Sequence, residues 1–268
     1  MAKITPILLV GAGRMGGALL AGWQRADAFA GSDLIIKEPA PSVELLEAEA
    51  EGALVNPAEG EFRRAKTVVL AVKPQVWRQV AAEIAPLINA DALIVSIVAG
   101  IGADAVGGAF GGRRVARVMP TTAAAIGQGT ASVYSADPEA HAAAHALFEP
   151  VGQVVDLPSE ELMHAATAAS GSAPAYLYAL TEALEAAAAK AGLDPAAART
   201  LARATLTGAA ALMAASGEEP AELRRQVTSP GGTTEAALKV LLGEGGLSEL
   251  MARAVQAAAD RSRELGSG

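Results

Sequence analysis

The sequence predicts an α/β fold: a doubly wound parallel sheet in the N-terminal half, followed by an all-α C-terminal domain. Three observations carry this. Short aliphatic runs alternate with helical patterns in the first part of the chain. A glycine-rich turn joins the first aliphatic run to the first helical pattern. From Ser159 onward strand signals stop and helix punctuation takes over. The boundary falls near Pro158 and divides the chain into residues 1–158 and 159–268.

Ile7–Val10, Leu34–Lys37, Thr67–Val72 and Leu93–Val98 read as buried strands, being short, aliphatic and bounded by turn residues. Helical patterns fill the gaps at Met15–Arg25, Ser42–Glu51, Gln75–Ile84 and Ile101–Phe110. This alternation implies parallel strands with both faces covered. Arg114–Met119, Ala131–Tyr134 and Gln153–Asp156 are further strands, with a helix over Pro138–Phe148 between the last two.

In the C-terminal part, Ser159 is placed to cap a helix whose first turn holds Glu160 and Glu161, where negative charge suits the helix dipole. Gly192 ends the helix carrying Lys190. Asp194 caps the next, with Pro195 at its first position. Gly217 ends that one and Pro220 opens a short one. Ser248 is placed to cap the last, and Gly266-Ser267-Gly268 reads as a frayed tail. This region is rich in alanine, which favours helix but buries little area per residue. Such thin helices are expected to complete their core against a second copy of the chain.

Composition narrows the function. The 268 residues are 51% apolar but only 3% aromatic, so alanine and the aliphatics carry the packing. A net charge of -8, with no basic block, argues against nucleic-acid binding. The absence of cysteine excludes disulfides and thiolate chemistry. The first apolar run is too short for a signal peptide, and no stretch reaches the roughly 18–20 apolar residues of a membrane span. The expectation is a soluble, cytoplasmic protein.

Gly11-Ala12-Gly13-Arg14-Met15-Gly16 follows a strand and opens a helix, the context in which this spacing means dinucleotide binding. Gly11 allows the tight turn, Gly13 lets backbone approach a pyrophosphate, and Gly16 lets the helix pack on the strand. The helix N-terminus then receives the anion. Together these mark a Rossmann-type domain. Lys37 and Glu38 end the second strand: Glu38 suits ribose hydroxyls, Lys37 a 2′-phosphate, and both also fit solvated loop charges. Ala71-Val72-Lys73-Pro74 ends another strand at the cofactor crevice, with Lys73 near ribose or phosphate.

Two stretches suit the other half of a site. Ser170-Gly171-Ser172-Ala173-Pro174 interrupts a helical run, so a kink presents two hydroxyls, either as a substrate wall or satisfied within the helix. In Thr228–Thr234, either Ser229 caps a helix with Pro230 first, or Gly232 caps it with Glu235 three residues on. Both alternatives gather backbone N–H groups near Gly231, Gly232, Thr233 and Thr234 into a nest that suits a carboxylate.

On Gly11–Gly16, Ala71–Gln75, Ser96–Gly100, Arg117–Pro120, Ser170–Tyr176 and Val227–Thr234, the chain resembles the pyrroline-5-carboxylate reductases along nearly its whole length. The resemblance implies hydride transfer from NADPH or NADH to the imine carbon of 1-pyrroline-5-carboxylate, the last step of proline synthesis. It implies that Ser229, Gly231, Gly232 and Thr233 hold the substrate carboxylate, with Ser172 nearby. Thr234 would hydrogen-bond the ring nitrogen and donate the proton. It further implies interlocked homodimers, often joined into larger rings, with the substrate site near the dimer interface.

Two departures stand out. After Met119-Pro120, where many members carry asparagine, threonine and proline, this chain has Thr121-Thr122-Ala123. Glu38 replaces the small polar residue of NADP-preferring members, which favours NADH. A hydroxyacid dehydrogenase would place a lysine shortly after the serine-glycine motif, where this chain has Pro174-Ala175-Tyr176. A non-enzymatic nucleotide sensor would not need the Thr228–Thr234 loop. His141 and His145 share a helix face at a metal-compatible spacing, but the sequence shows no third ligand, so no metal is expected. His164 reads as a helix-surface or interface residue.

Overall fold

The computed structural model describes residues 4–266. They form two compact units, one running to Gly171 and including the chain from Ala257 on, the other Ser172–Gln256.

The first unit runs β1 (Ile7–Val10), α1 (Arg14–Arg25), β2 (Leu34–Lys37), α2 (Val43–Ala50), β3 (Leu54–Val55), β4 (Thr67–Leu70), α3 (Trp77–Ile84), β5 (Leu93–Ser96), α4 (Ala103–Ala109), β6 (Val115–Pro120), β7 (Gly129–Tyr134), α5 (Pro138–Phe148), β8 (Gly152–Asp156) and α6 (Leu162–Ala166). The eight strands lie in the order β3-β2-β1-β4-β5-β6-β7-β8. All pairs are parallel except β6 with β7. The order reverses between β1 and β4, and at such a switch point a doubly wound sheet opens its ligand crevice.

Alternate strand residues face opposite layers. Ile7, Leu9, Ile36, Val69 and Val95 pack with Leu19, Leu20 and Trp23 of α1 and Leu147 and Phe148 of α5. Leu8, Val10, Leu70 and Ile94 pack the other way, with Phe62, Trp77, Ile84 and Phe110. Each such side chain contributes about 1.5–3 kcal/mol on burial. The Trp23 Nε1–H donates to the Leu147 carbonyl at 2.7 Å, so the buried indole leaves no polar atom unpaired.

Several boundaries differ from the sequence expectation. β4 and β5 end at Leu70 and Ser96 rather than Val72 and Val98. The apolar residues beyond leave the ladder but stay covered, Val98 buried and Val72 partly so. β3 is a two-residue addition paired to Ile35 and Ile36, too short to show a period. Ser159 does not cap α6, which begins at Leu162. Glu160 instead accepts from the Ala103 N–H at 2.6 Å and so caps α4.

The second unit is helical: α7 (Ala173–Lys190), α8 (Pro195–Ser216), α9 (Pro220–Gln226), α10 (Thr233–Leu241) and the start of α11 (Leu247–Gly266), which ends in the first unit. Asp194 caps α8 as expected, accepting from Ala196 and Ala197 N–H at 2.9 and 3.3 Å. Gly217 ends α8 in the left-handed region at φ +65°. α11 begins at Leu247, with the Gly246 carbonyl accepting from Leu250, so Ser248 lies inside the helix. Gly266 belongs to α11 rather than to a tail; Ser267 and Gly268 lie outside the described residues. Glu185 of α7 pairs with Arg203 of α8 at 2.7 Å. Within one chain α7, α9 and α10 bury no residue at all. Leu177, Tyr178, Leu180, Leu184, Leu201 and Leu212 stand exposed. Among the described residues no helix is long and apolar enough to cross a membrane.

Candidate active site

The glycine turn after β1 has the geometry its spacing predicts. Gly11 sits at φ +93°, and a Cβ there would lie 2.6 Å from the Ala71 carbonyl oxygen. A Cβ on Gly16 would lie 2.1 Å from the Gly11 carbonyl oxygen, so α1 can meet β1 only as glycine. Gly13 is different: a Cβ there would meet nothing within 4 Å. Its bare face opens outward at the α1 N-terminus, which no side chain caps. This is the space and polarity a pyrophosphate requires, and Arg14 and Met15 supply the next backbone N–H groups of the turn.

At the end of β2, Lys37 and Glu38 turn to different partners. Lys37 Nζ lies 3.9 Å from Glu83 and 5.7 Å from the Phe62 ring centroid. Glu38 turns to the glycine loop, its Oε2 accepting from Ala12 N–H at 2.7 Å and its Oε1 from Ala40 N–H at 2.9 Å. Asn56 braces its backbone on both sides, at 2.8 and 3.0 Å. Glu38, Pro39, Ser42, Leu45 and Asn56 line one cleft. Ala71, Val72, Lys73 and Pro74 follow β4 into the same end of the sheet, with Lys73 exposed and its carbonyl accepting from Val76 N–H.

The kink predicted around Gly171 is a π-helical turn, Thr167–Gly171, after which α7 starts anew with Pro174 in its first turn. A Cβ on Gly171 would lie 3.1 Å from Met119 Sδ, so two of the quoted motifs meet here. Ser170 is satisfied within the helix, donating to the Ala166 carbonyl at 2.8 Å. Ser172 makes no capping bond. The Tyr176 hydroxyl is buried without a hydrogen-bond partner, a feature the sequence reading passed over although Tyr176 closes the quoted motif.

In the second unit, of the two capping alternatives for Thr228–Thr234, Gly232 is the cap of α10. Gly231 is left-handed at φ +70°, and the Gly232 N–H donates back to the Ser229 carbonyl at 3.0 Å. Glu235 reaches back and accepts from the Gly231 N–H. An anion thus already occupies one donor of the nest. The Glu235 carboxyl is held below its ordinary range, first by that backbone bond and then by Lys239. Ser229, Gly231 and Thr233 are exposed and Thr234 is half-buried.

Two residues to which the sequence analysis gave no role of their own shape the first unit. Arg117 is buried and pairs with Glu160 at 2.8 Å. Thr121, the departure after Met119-Pro120, is buried and its Oγ1 accepts from Thr130 N–H at 3.0 Å, which ties the β6–β7 turn. A threonine hydroxyl at the end of a strand is therefore structural here.

Comparison with known proteins agrees with this geometry. Residues 160–265 match the model described as pyrroline-5-carboxylate reductase dimerisation, and residues 6–100 one described as NADP oxidoreductase, coenzyme F420-dependent. A pyrroline-5-carboxylate reductase of Synechocystis is 37% identical over 262 residues, covering 96% of this chain and 97% of that one. The chain belongs to the pyrroline-5-carboxylate reductase family. A pyrroline-5-carboxylate reductase structure from Coxiella burnetii superimposes with a TM-score of 0.88 at 30% identity, covering 98% of this chain and 99% of that one. The Plasmodium falciparum pyrroline carboxylate reductase, solved with NADP bound, superimposes with a TM-score of 0.83 at 26% identity and covers 99% of both chains. The dimerisation match spans the exposed leucines of α7 and α8, and the chain is a homo-oligomer.

Proposed function

We propose that this chain reduces 1-pyrroline-5-carboxylate to L-proline with NADPH or NADH, as the last step of proline synthesis. The observation that carries the reading is the Ser229–Thr234 loop, a backbone nest followed directly by Thr234, in a chain of this family. Residues 1–158 bind the nucleotide; residues 159–268 bind the substrate and dimerise.

The dinucleotide supplies a hydride to the imine carbon. Gly11, Ala12, Gly13, Arg14, Met15 and Gly16 hold its pyrophosphate, and Ala71, Val72, Lys73 and Pro74 line its path. Glu38 faces the ribose, while Lys37 serves the outer wall. The open space over Gly13 and the uncapped N-terminus of α1 fit this group. Ser229, Gly231, Gly232 and Thr233 orient the substrate carboxylate, and Ser172 forms a wall. As the hydride arrives, the C=N π pair moves onto nitrogen, which must bear a proton. Thr234 Oγ1 hydrogen-bonds that nitrogen. A threonine is a weak acid, so Thr234 mainly orients an imine that enters already protonated. No metal is needed, because an iminium is electrophilic by itself.

In this reading the active form is a cytoplasmic homodimer, joined into a larger ring, with each site near the dimer interface. The test is oxidation of NADPH and NADH, side by side, dependent on pyrroline-5-carboxylate, with L-proline identified as product. A chain that oxidises neither nucleotide with this substrate does not have the function.

A further inference from the structure

A second cluster of side chains, remote in sequence from every residue assigned above, carries chemistry of its own. His141 and His145 lie one turn apart on α5, with ring centroids 4.6 Å apart. Both Nε2 atoms point at one oxygen: Asp156 Oδ1 lies 2.8 Å from His141 Nε2 and 2.9 Å from His145 Nε2. Asp156 ends β8, one of the two edge strands of the sheet. The sequence reading found no third ligand because a turn and a strand separate Asp156 from the helix; the fold brings the three ligand atoms within 4.8 Å of one another.

Glu149 is an independent observation. Its Oε1 lies 2.8 Å from His145 Nδ1. A carboxylate there favours the proton on Nδ1, which leaves Nε2 as the nitrogen that faces Asp156. At 2.9 Å that nitrogen and the Asp156 oxygen share a proton, a position that a metal ion can take in its place. An imidazole whose far nitrogen is fixed by a carboxylate is also how metal-ligating histidines are oriented.

We propose that His141 Nε2, His145 Nε2 and Asp156 Oδ1 form a site for a divalent transition-metal ion of the Zn²⁺ class, with Glu149 orienting His145. Two imidazoles and one carboxylate select Zn²⁺, Ni²⁺, Co²⁺ or Cu²⁺ over Mg²⁺ and Ca²⁺, which prefer oxygen. Ligand bonds of about 2.0–2.2 Å in tetrahedral geometry set neighbouring ligand atoms roughly 3.3 Å apart. Small rotations of the part-exposed imidazoles reach that spacing, and water completes the fourth position. The ion replaces the proton between His145 and Asp156 and joins α5 to the sheet edge. It takes no part in hydride transfer.

Tag-free protein, stripped with EDTA and titrated with Zn²⁺ in a calorimeter, should bind one ion per chain with a rise in Tm. Co²⁺ should give the visible bands of a mixed nitrogen and oxygen site. H141Q and D156N should each weaken Zn²⁺ binding at least tenfold, and Glu149→Gln by roughly tenfold, the scale of losing an orienting partner. Pyrroline-5-carboxylate-dependent nucleotide oxidation should not change in any of them. The unmutated protein's Co²⁺ spectrum tests the site independently of any variant's folding. The proposal fails if stripped protein shows no Zn²⁺ heat and no Co²⁺ bands, or if binding survives the H141Q/H145Q double variant. The cluster is then an ion-paired hydrogen-bond network alone.

Discussion

The Glu38 carboxylate accepts a hydrogen bond from the backbone N–H of Ala12 at 2.7 Å, tying the end of β2 to the glycine turn after β1. The Glu38 carboxylate is thereby fixed beside the loop proposed to receive the nucleotide. Lys37, its neighbour, is spent on Glu83 and Phe62. A 2′-phosphate meets a like charge here, which is costly, whereas ribose hydroxyls meet an acceptor. Glu38→Ser should raise the NADPH-to-NADH ratio of kcat/KM on the order of tenfold, equivalent to about 1.4 kcal/mol. Lys37→Ala should leave that ratio within about twofold, as expected of an exposed ion pair. Steady-state kinetics with both nucleotides decides it.

Gly16 and Gly13 of the turn should fail in different ways. In Gly16→Ala the new methyl meets the Gly11 carbonyl. The strain should cost roughly 1–3 kcal/mol and appear as a lower Tm. In Gly13→Ala the methyl points into open space. That variant should keep its Tm and lose nucleotide affinity, read as a raised KM for NAD(P)H. Equal Tm losses in both variants would contradict the assignment of the open space to the pyrophosphate.

Thr234→Ala should lower kcat/KM for pyrroline-5-carboxylate roughly tenfold or more, with Thr234→Ser retaining most activity. An unchanged kcat/KM in the alanine variant would remove Thr234 from the chemistry.

Arg117 depends on Glu160. Arg117 is buried and Glu160 half-buried, so removing Glu160 leaves a buried charge uncompensated, at a cost of up to about 3–5 kcal/mol. Glu160→Ala should therefore destabilise the first unit by about that much, seen in denaturant unfolding, and it also removes the cap that Ala103 uses. Glu161→Ala, one residue on, should change the unfolding free energy by less than about 0.5 kcal/mol, as at an ordinary surface position.

His164 gives stability a pH dependence. Burial first, then the charges of Arg117 and Arg263, hold its imidazole below the ordinary range, against an opposing pull from Glu160. The unfolded imidazole takes its proton near pH 6.5, before the folded one does. Its contribution is therefore complete above about pH 6.5 and is lost as pH falls through the folded value. His164→Gln should flatten the fall in Tm between about pH 7 and 5, compared with the unmutated protein, in a thermal melt series.

Legibility in the sequence followed the range of the forces involved. Asp194, Pro195 and Gly217 act on their own helix, and their positions were readable to the residue. So was Gly11–Gly16, whose spacing encodes a local turn. Ser159 and Glu160 misled because a distant buried arginine outbid the local cap. Val72 and Val98 misled because apolar side chains stay covered after the ladder ends. Asp156 beside His145, and Glu38 turned from Lys37, depend on which strands become neighbours, and no periodicity carries that information. Between Ser229 and Gly232 as cap, both local rules were satisfied; the reach of Glu235 to Gly231 accompanies the second.

The helices α7, α9 and α10, with no residue buried in a single chain, make protein concentration a variable of the fold itself. On the proposal that association supplies their core, melting temperature and specific activity should both fall on dilution, and activity should return with a lag when the solution is concentrated again. A charge introduced at Leu180 or Leu184 would then act as a dilution of its own, and mixed with unmutated chains it would poison them in proportion to its share.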